Sequence, residues 1–254
     1  MRRPERERPN GGTAPSARLG DVHPDPLVLL DLDGTLLDSG PGITSSAAHA
    51  FRALDLPVPS AAELRTFVGP PIWDSFGRHG VPAARTSEAV AAYRAAFADG
   101  GMYDTTVYPG IPEALRELRD AGVRLLVATS KPEVFAGPVC DRTGLTPLLD
   151  GVFGAPLDES ATKADVVGRA LASTGPAGAA GRGRTLMVGD REHDVLGARA
   201  HGVPCLGVAW GYAPAGELEE AGAVAVLPDP EALGTALLRA RTGAGNPTSC
   251  TVVG

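Results

Sequence analysis

A chain of 254 residues is long enough for one α/β core with an insertion, or for two small domains, and too short for three of ordinary size. Its formal net charge of -7 argues against binding to nucleic acid or to an anionic membrane, since both uses need a basic face. The three cysteines, Cys140, Cys205 and Cys250, have no CxxC spacing and do not cluster with histidine, which suggests neither a disulfide framework nor a zinc site and fits a reducing cytoplasm.

In chain order, residues 1–24 begin basic but reach no apolar stretch, so they read as a disordered tail rather than a secretory signal. No run approaches the roughly 20 apolar residues of a membrane span. Residues 25–40 contain the run LVLL followed by DLDGTLLDS, a short apolar stretch and then a turn, as in a buried parallel strand. Residues 41–107 are mostly helical in pattern: GITSSAAHAFRALD from 42, SAAELRTFV from 60 and TSEAVAAYRAAFADG from 86. Ser60 and Glu63 have the spacing of a capping box, which sets the start of the second of these helices.

After Pro109 the rhythm becomes alternating helix and strand. Strands are expected at VRLLVATS (123–130), GVFG (151–154), RTLMVGD (184–190), PCLGVAW (204–210) and, more weakly, AVAVL (223–227). Helical stretches of 10 to 15 residues between strands imply βαβ units, hence a parallel sheet covered by helices on both faces. The helix PEALGTALLRAR follows, GPAGAAGRG at 175–183 reads as a flexible loop, and 242–254 as a polar tail.

In such a sheet, ligands collect at the carboxyl ends of the strands, where strand order reverses. Those ends carry Asp31 and Asp33, then Thr129, Ser130 and Lys131, then Gly189, Asp190 and Asp194. Lysine usage adds a signal: of 23 basic residues only Lys131 and Lys163 are lysines.

The segments DLDGTLLDS (31–39), ATSKP (128–132), TKAD (162–165) and VGDREHD (188–194), in this order, resemble the haloacid dehalogenase superfamily from about residue 26 to 240. The resemblance implies a Rossmann-like doubly wound core (25–40 and 108–241) with an α-helical cap inserted at 41–107. FVGPP at 67–71 is similar to the phosphoglycolate-phosphatase and 5'-nucleotidase-like branch. It implies Asp31 as nucleophile, Asp33 as general acid and base, and Thr129 and Lys163 on the phosphoryl group. It further implies Mg2+ held by Asp31, the Asp33 carbonyl and Asp190, with Asp194 holding a water on the metal. The requirement is physical: several aspartates would repel a phosphate dianion unless a hard cation intervenes.

Gly34, Thr35 and Ser130 are expected on the phosphate side of the substrate, and Gly69, Pro70, Pro71, Trp73 and Arg94 on the leaving-group side. Trp73 either presents an aromatic face to substrate or packs in the core. Thr129 and Ser130 could alternatively cap the helix after Pro132, and Lys131 could point to solvent. Asp38 and Ser39 read as turn and cap residues, and His193, His49, His79 and His201 as packing or surface residues.

The expected activity is hydrolysis of a small-molecule phosphomonoester such as phosphoglycolate, a nucleoside 5'-monophosphate or the phosphate of a biosynthetic intermediate. Asp33 disfavours carbon-halogen chemistry, and the absence of lysine from 41–107 disfavours phosphonate hydrolysis through a cap Schiff base. A sugar phosphomutase and a noncatalytic phosphate-ligand-binding protein remain as alternatives. No nucleic-acid or membrane partner is expected, and a cytoplasmic monomer is, with a homodimer as the alternative.

Overall fold

The computed structural model describes residues 26–175 and 184–242. The expectations for the N-terminal tail, the 175–183 loop and the C-terminal tail lie outside these residues, Gly175 and Thr242 excepted. Among the described residues no helix is long and apolar enough to cross a membrane.

Six parallel strands form the main sheet: β1 (Leu27–Leu30), β4 (Arg124–Pro132), β5 (Gly151–Ala155), β6 (Thr185–Gly189), β7 (Cys205–Val208) and β8 (Ala225–Leu227). Their order is β5-β4-β1-β6-β7-β8, so connections leave β1 on one side and return on the other. The carboxyl end of β1, between β4 and β6, is therefore the crevice at the reversal point.

Alternation of side chains explains why β1 is apolar throughout. Val28 and Leu30 enter the core on one face, and Leu27 and Leu29 the core on the other. Leu125 and Val127 of β4 likewise separate from Leu126 and Ala128.

Between β1 and β4 the chain builds a helical lobe: α1 (Gly40–Ala53), α2 (Ala61–Arg65), α3 (Ile72–Arg78) and α4 (Thr86–Ala98). Ser60 accepts from the Glu63 N–H while the Glu63 carboxylate accepts from the Ser60 N–H, so the expected capping box forms at α2. Phe51, Phe67 and Phe76 pack as an aromatic cluster with centroids 5.3 to 6.2 Å apart, which joins α1 and α3. The sequence reading had no helix at α3. It starts after Pro71, a position proline tolerates because the first helical N–H groups have no internal partner.

Two short strands connect lobe and sheet. β2 (Leu37–Asp38) pairs antiparallel with β3 (Thr106–Val107), so the chain enters and leaves the lobe through one two-stranded ribbon.

On the sheet side, α5 (Ile111–Asp120), α6 (Glu133–Arg142) and α10 (Ala232–Thr242) are distinct from α7 (Lys163–Ser173), α8 (Glu192–Arg199) and α9 (Glu217–Ala221) in the faces they cover. α5 shows the pattern plainly, burying Ile111, Ala114, Leu115 and Leu118 at i, i+3, i+4 and i+7.

Candidate active site

Asp31 follows the last residue of β1, and its N–H donates to the Val188 carbonyl of β6 at 2.9 Å. The turn after it needs Gly34: φ is +83°, and a Cβ there would lie 2.1 Å from Asp190 Oδ2. A carboxylate and the turn backbone can meet only because this side chain is absent.

Lys163 comes from the opposite side. Thr162 caps α7 reciprocally with Asp165, through Asp165 N to Thr162 Oγ1 at 3.2 Å and Thr162 N to Asp165 Oδ2 at 2.8 Å. This fixes Lys163 as the first helical residue. Its Nζ lies 2.5 Å from Asp31 Oδ1 and 2.7 Å from Asp194 Oδ1. The other Asp194 oxygen accepts from the Arg191 N–H at 3.0 Å, so both of its oxygens are engaged by the protein.

Asp33 has separate partners. Lys131 Nζ donates to both its oxygens at 2.8 Å, and the Ser39 hydroxyl donates to Oδ1. Lys131 also sits 4.9 Å from the centroid of Phe97 in α4. Thr129 accepts from the Lys131 N–H at 3.2 Å, and the pairing of β4 with β5 shifts register between Ala128 and Pro132. Such an irregularity re-aims side chains, here toward Asp33. Neither Thr129 nor Ser130 caps α6, which begins at Glu133 without a side-chain cap.

Asp190 completes the acidic group. Its Oδ2 accepts from the Tyr212 N–H at 2.8 Å, while Oδ1 is buried without a partner. Oxygens of Asp31, Asp190 and Asp194 lie within 4.8 Å of one another. Burial pushes the Asp31 carboxyl up to about 6; Lys163 opposes the rise and Asp194 adds to it. Burial, then Asp194 and Asp31, hold Asp190 well above the carboxylate range. Burial would lower the Lys163 ammonium, yet Asp194 and Asp31 hold it above the usual lysine value.

Three buried carboxylates against one lysine, with one oxygen orphaned, fit a hard divalent cation, whose ligands are oxygens.

The cavity over this floor measures ≈ 70 Å³, and residues of the helical lobe form its roof. Asp31, Asp33, Thr129, Ser130, Lys163 and Asp194 line it from below, and Gly69 and Pro70 from above. Three of the expected substrate-binding residues do not line it. Gly34 is turned against Asp190, and Thr35 is fully buried with its hydroxyl unpartnered. Trp73 packs against the hydrophobic core, its indole N–H enclosed without a partner. Ile72 and Phe76, four apart, set the inward face of α3, and Ile72 with Pro71 takes the cavity position instead.

Other side chains at the cavity escaped the sequence reading. Glu159, in the loop after β5, binds Arg94 at 3.0 Å and accepts from the Ile72 N–H at 2.8 Å. Arg191 donates to the Val68 carbonyl at 2.8 Å and pairs with Glu217 at 2.8 Å. Tyr93 lines the wall beside Arg94. Asp38 accepts from the Tyr212 hydroxyl and from the Gly40 N–H, which agrees with a turn role, whereas Ser39 serves Asp33. His79 contacts the Ser75 carbonyl and His201 the Ala164 carbonyl, both at packing positions, while His193 lines the cavity.

Known proteins resemble this chain. The family model described as haloacid dehalogenase-like hydrolase matches residues 28–208. A 5'-nucleotidase from Pseudomonas aeruginosa is 40% identical over 195 residues, covering 76% of this chain and 86% of that protein. The protein named Tyrosine-protein kinase PtkA from Mycobacterium tuberculosis is 42% identical over 187 residues, 73% of this chain, which spans only 62% of that relative's length. The crystal structure of a "predicted phosphatase" from Clostridium acetobutylicum superposes with a TM-score of 0.78 at 36% identity, over 85% of this chain and 99% of that one. With the family model matched over residues 28–208 and with fold and sequence similar over most of its length, the chain belongs to the haloacid dehalogenase-like hydrolase family.

Proposed function

We propose that the protein is a Mg2+-dependent phosphatase that hydrolyses a small-molecule phosphomonoester through an aspartyl phosphate on Asp31. The observation that carries this reading is the division of partners between two acids two residues apart. Lys163 bridges Asp31 and Asp194, while Asp33 is held separately by Lys131 and Ser39. Separate environments let neighbouring carboxylates do different work.

In the first step an Asp31 oxygen bonds to phosphorus and the ester oxygen departs, taking a proton from Asp33. In the second, a water gives its proton to Asp33 and its oxygen to phosphorus, which frees inorganic phosphate and restores Asp31. Lys163 offsets the charge on Asp31 and the transferring group, and Thr129 donates to a phosphoryl oxygen. Lys131 leaves Asp33 for the phosphoryl group when substrate enters, releasing the acid for proton transfer. Asp31, the Asp33 carbonyl and Asp190 would hold the cation, which supplies charge neutralisation for the bound dianion. Both Asp194 oxygens already bind protein groups, which supports a role for Asp194 outside the direct ligand set.

The names of the relatives divide between phosphatases and a kinase, and we assign water as the acceptor. The cavity supports this, because its floor places Asp33 beside Asp31, where it can take a proton from a water. Phosphate release from a panel of phosphomonoesters with Mg2+, compared with Asp31→Asn, tests the proposal. Equal slow release by both proteins would end it. Isomerisation of a sugar phosphate without hydrolysis would identify a mutase, and label transfer from ATP to protein a kinase.

A further inference from the structure

Nine residues of the helical lobe reach the cavity, and they are nearly all apolar or lack a side-chain donor. Ile43, Phe67, Ile72 and Phe97 present hydrocarbon, and the 69–71 turn presents glycine and proline. Only Tyr93 and Arg94 bring hydrogen-bonding side chains from the lobe. Arg94 is already committed to the Leu157 carbonyl and to Glu159.

Tyr93 is not committed. Its ring is fixed by stacking on Phe97, with centroids 5.5 Å apart and planes 12° apart, and by an edge contact with Phe76. The residue is 8% exposed, and among the described residues no group hydrogen-bonds its hydroxyl. The phenol also differs from the enclosed orphans Thr35 Oγ1, Trp73 Nε1 and Asp190 Oδ1, because it opens onto the cavity. A phenol fixed at a cavity wall with no protein partner is free to hydrogen-bond a group that arrives with the ligand.

Charge decides what kind of oxygen it meets. Glu159 bears on the phenol and holds Arg94, while Lys131, once turned to the phosphoryl group, is not free to serve the leaving group. A leaving group carrying its own carboxylate would enter beside the Glu159 carboxylate with no cation to spare. A neutral hydroxyl can accept from Tyr93 and meets no such repulsion.

Building on the phosphatase reading, we infer that Tyr93 is a specificity-determining donor to an uncharged hydroxyl on the leaving group. The substrate class is then the phosphomonoesters of small polyols, rather than of hydroxy acids or plain alkyl alcohols. A site built to bond a hydroxyl discriminates against the analogue lacking it, because its own polar group is left unpaired.

The test uses the full chain with Mg2+ and matched probes: 2-hydroxyethyl phosphate, n-propyl phosphate, which replaces the hydroxyl by a methyl, and 2-phosphoglycolate. The wild-type protein is expected to favour the hydroxyethyl ester over each of the others by about tenfold in kcat/KM, the effect of one neutral hydrogen bond. Tyr93→Phe is expected to erase the hydroxyethyl-to-propyl ratio while its Tm stays equal or rises. An unchanged ratio, a wild-type preference for propyl or glycolate, or a fall in Tm from loss of a protein partner would each overturn the inference alone. Release of phosphate from none of the probes, nor from p-nitrophenyl phosphate, would overturn it together with the phosphatase reading.

Discussion

Glu159, in the loop after β5, accepts the backbone N–H of Ile72 at the start of α3 at 2.8 Å. A side chain of the sheet half thus caps a helix of the lobe, and the same carboxylate binds Arg94 at 3.0 Å. Helix starts leave N–H groups unpaired, so this carboxylate satisfies one of them and complements the helix dipole at once. Glu159→Ala removes both bonds across the interface, a loss of about 2 kcal/mol for the closed arrangement. Faster hydrogen exchange at the Ile72 amide and a raised KM with a smaller change in kcat are expected. Glu159→Gln keeps an acceptor and should fall between; equal exchange in all three proteins would refute the latch.

Asp31 contributes to stability with a definite pH sign. Its carboxyl is raised by burial from 3.8 to about 6, so in metal-free protein its contribution is full below the unfolded value and lost as pH rises through about 6. The difference corresponds to about 3 kcal/mol. With chelator present, the wild-type protein should therefore be more stable at pH 5 than its remaining titrating groups alone would make it. Asp31→Asn should weaken that pH dependence and raise the Tm at pH 7.5, while abolishing phosphate release. Thermal scans across pH, with and without the substitution, provide the measurement.

A divalent cation should reverse the cost of the acidic group. Binding only to the folded form at a hundredfold excess over Kd adds about 2.7 kcal/mol. Asp190 brings an unpartnered buried oxygen to this group. Asp190→Asn should cut the Mg2+-induced rise in Tm sharply and lower activity at limiting Mg2+. A rise as large as in the wild-type protein would remove Asp190 from the cation site.

Trp73 should behave as a packing residue. Its indole nitrogen is enclosed without a partner, so Trp73→Phe removes an orphan donor while retaining an aromatic ring against the core. Kinetics on a small and a large phosphate ester should shift by the same factor, and a selective loss on the large one would restore a recognition role.

The residues gathered at the candidate site were legible where they stand at strand ends. Asp31, Asp33, Thr129 and Asp190 each follow or end an apolar run, and a parallel sheet brings such ends to one edge whatever the details of packing. Lys163 was legible through its motif, and its helix start is local chemistry between Thr162 and Asp165. The pairings across the cavity were not legible. Lys131 meets Asp33 over 98 residues and Arg94 meets Glu159 over 65, with no periodicity relating the partners. Trp73 illustrates a local failure: α3 opens after Gly-Pro-Pro, which reads as a loop, and without the helix its inward face could not be assigned. Tyr93 lies in a helix whose pattern was visible, but the absence of a partner for its hydroxyl is a property of the closed fold alone.

The two-stranded ribbon of β2 and β3 also has a mechanical meaning. It begins four residues after Asp33, whose neighbour Gly34 donates to the Leu37 carbonyl within it at 2.7 Å, and Ser39, just beyond it, holds Asp33. The entry to the lobe and the mounting of Asp33 are therefore one piece of backbone. A swing of the lobe about this ribbon would carry Ser39 along and pull on Asp33, so that admitting a ligand and positioning the proposed acid would be geared together.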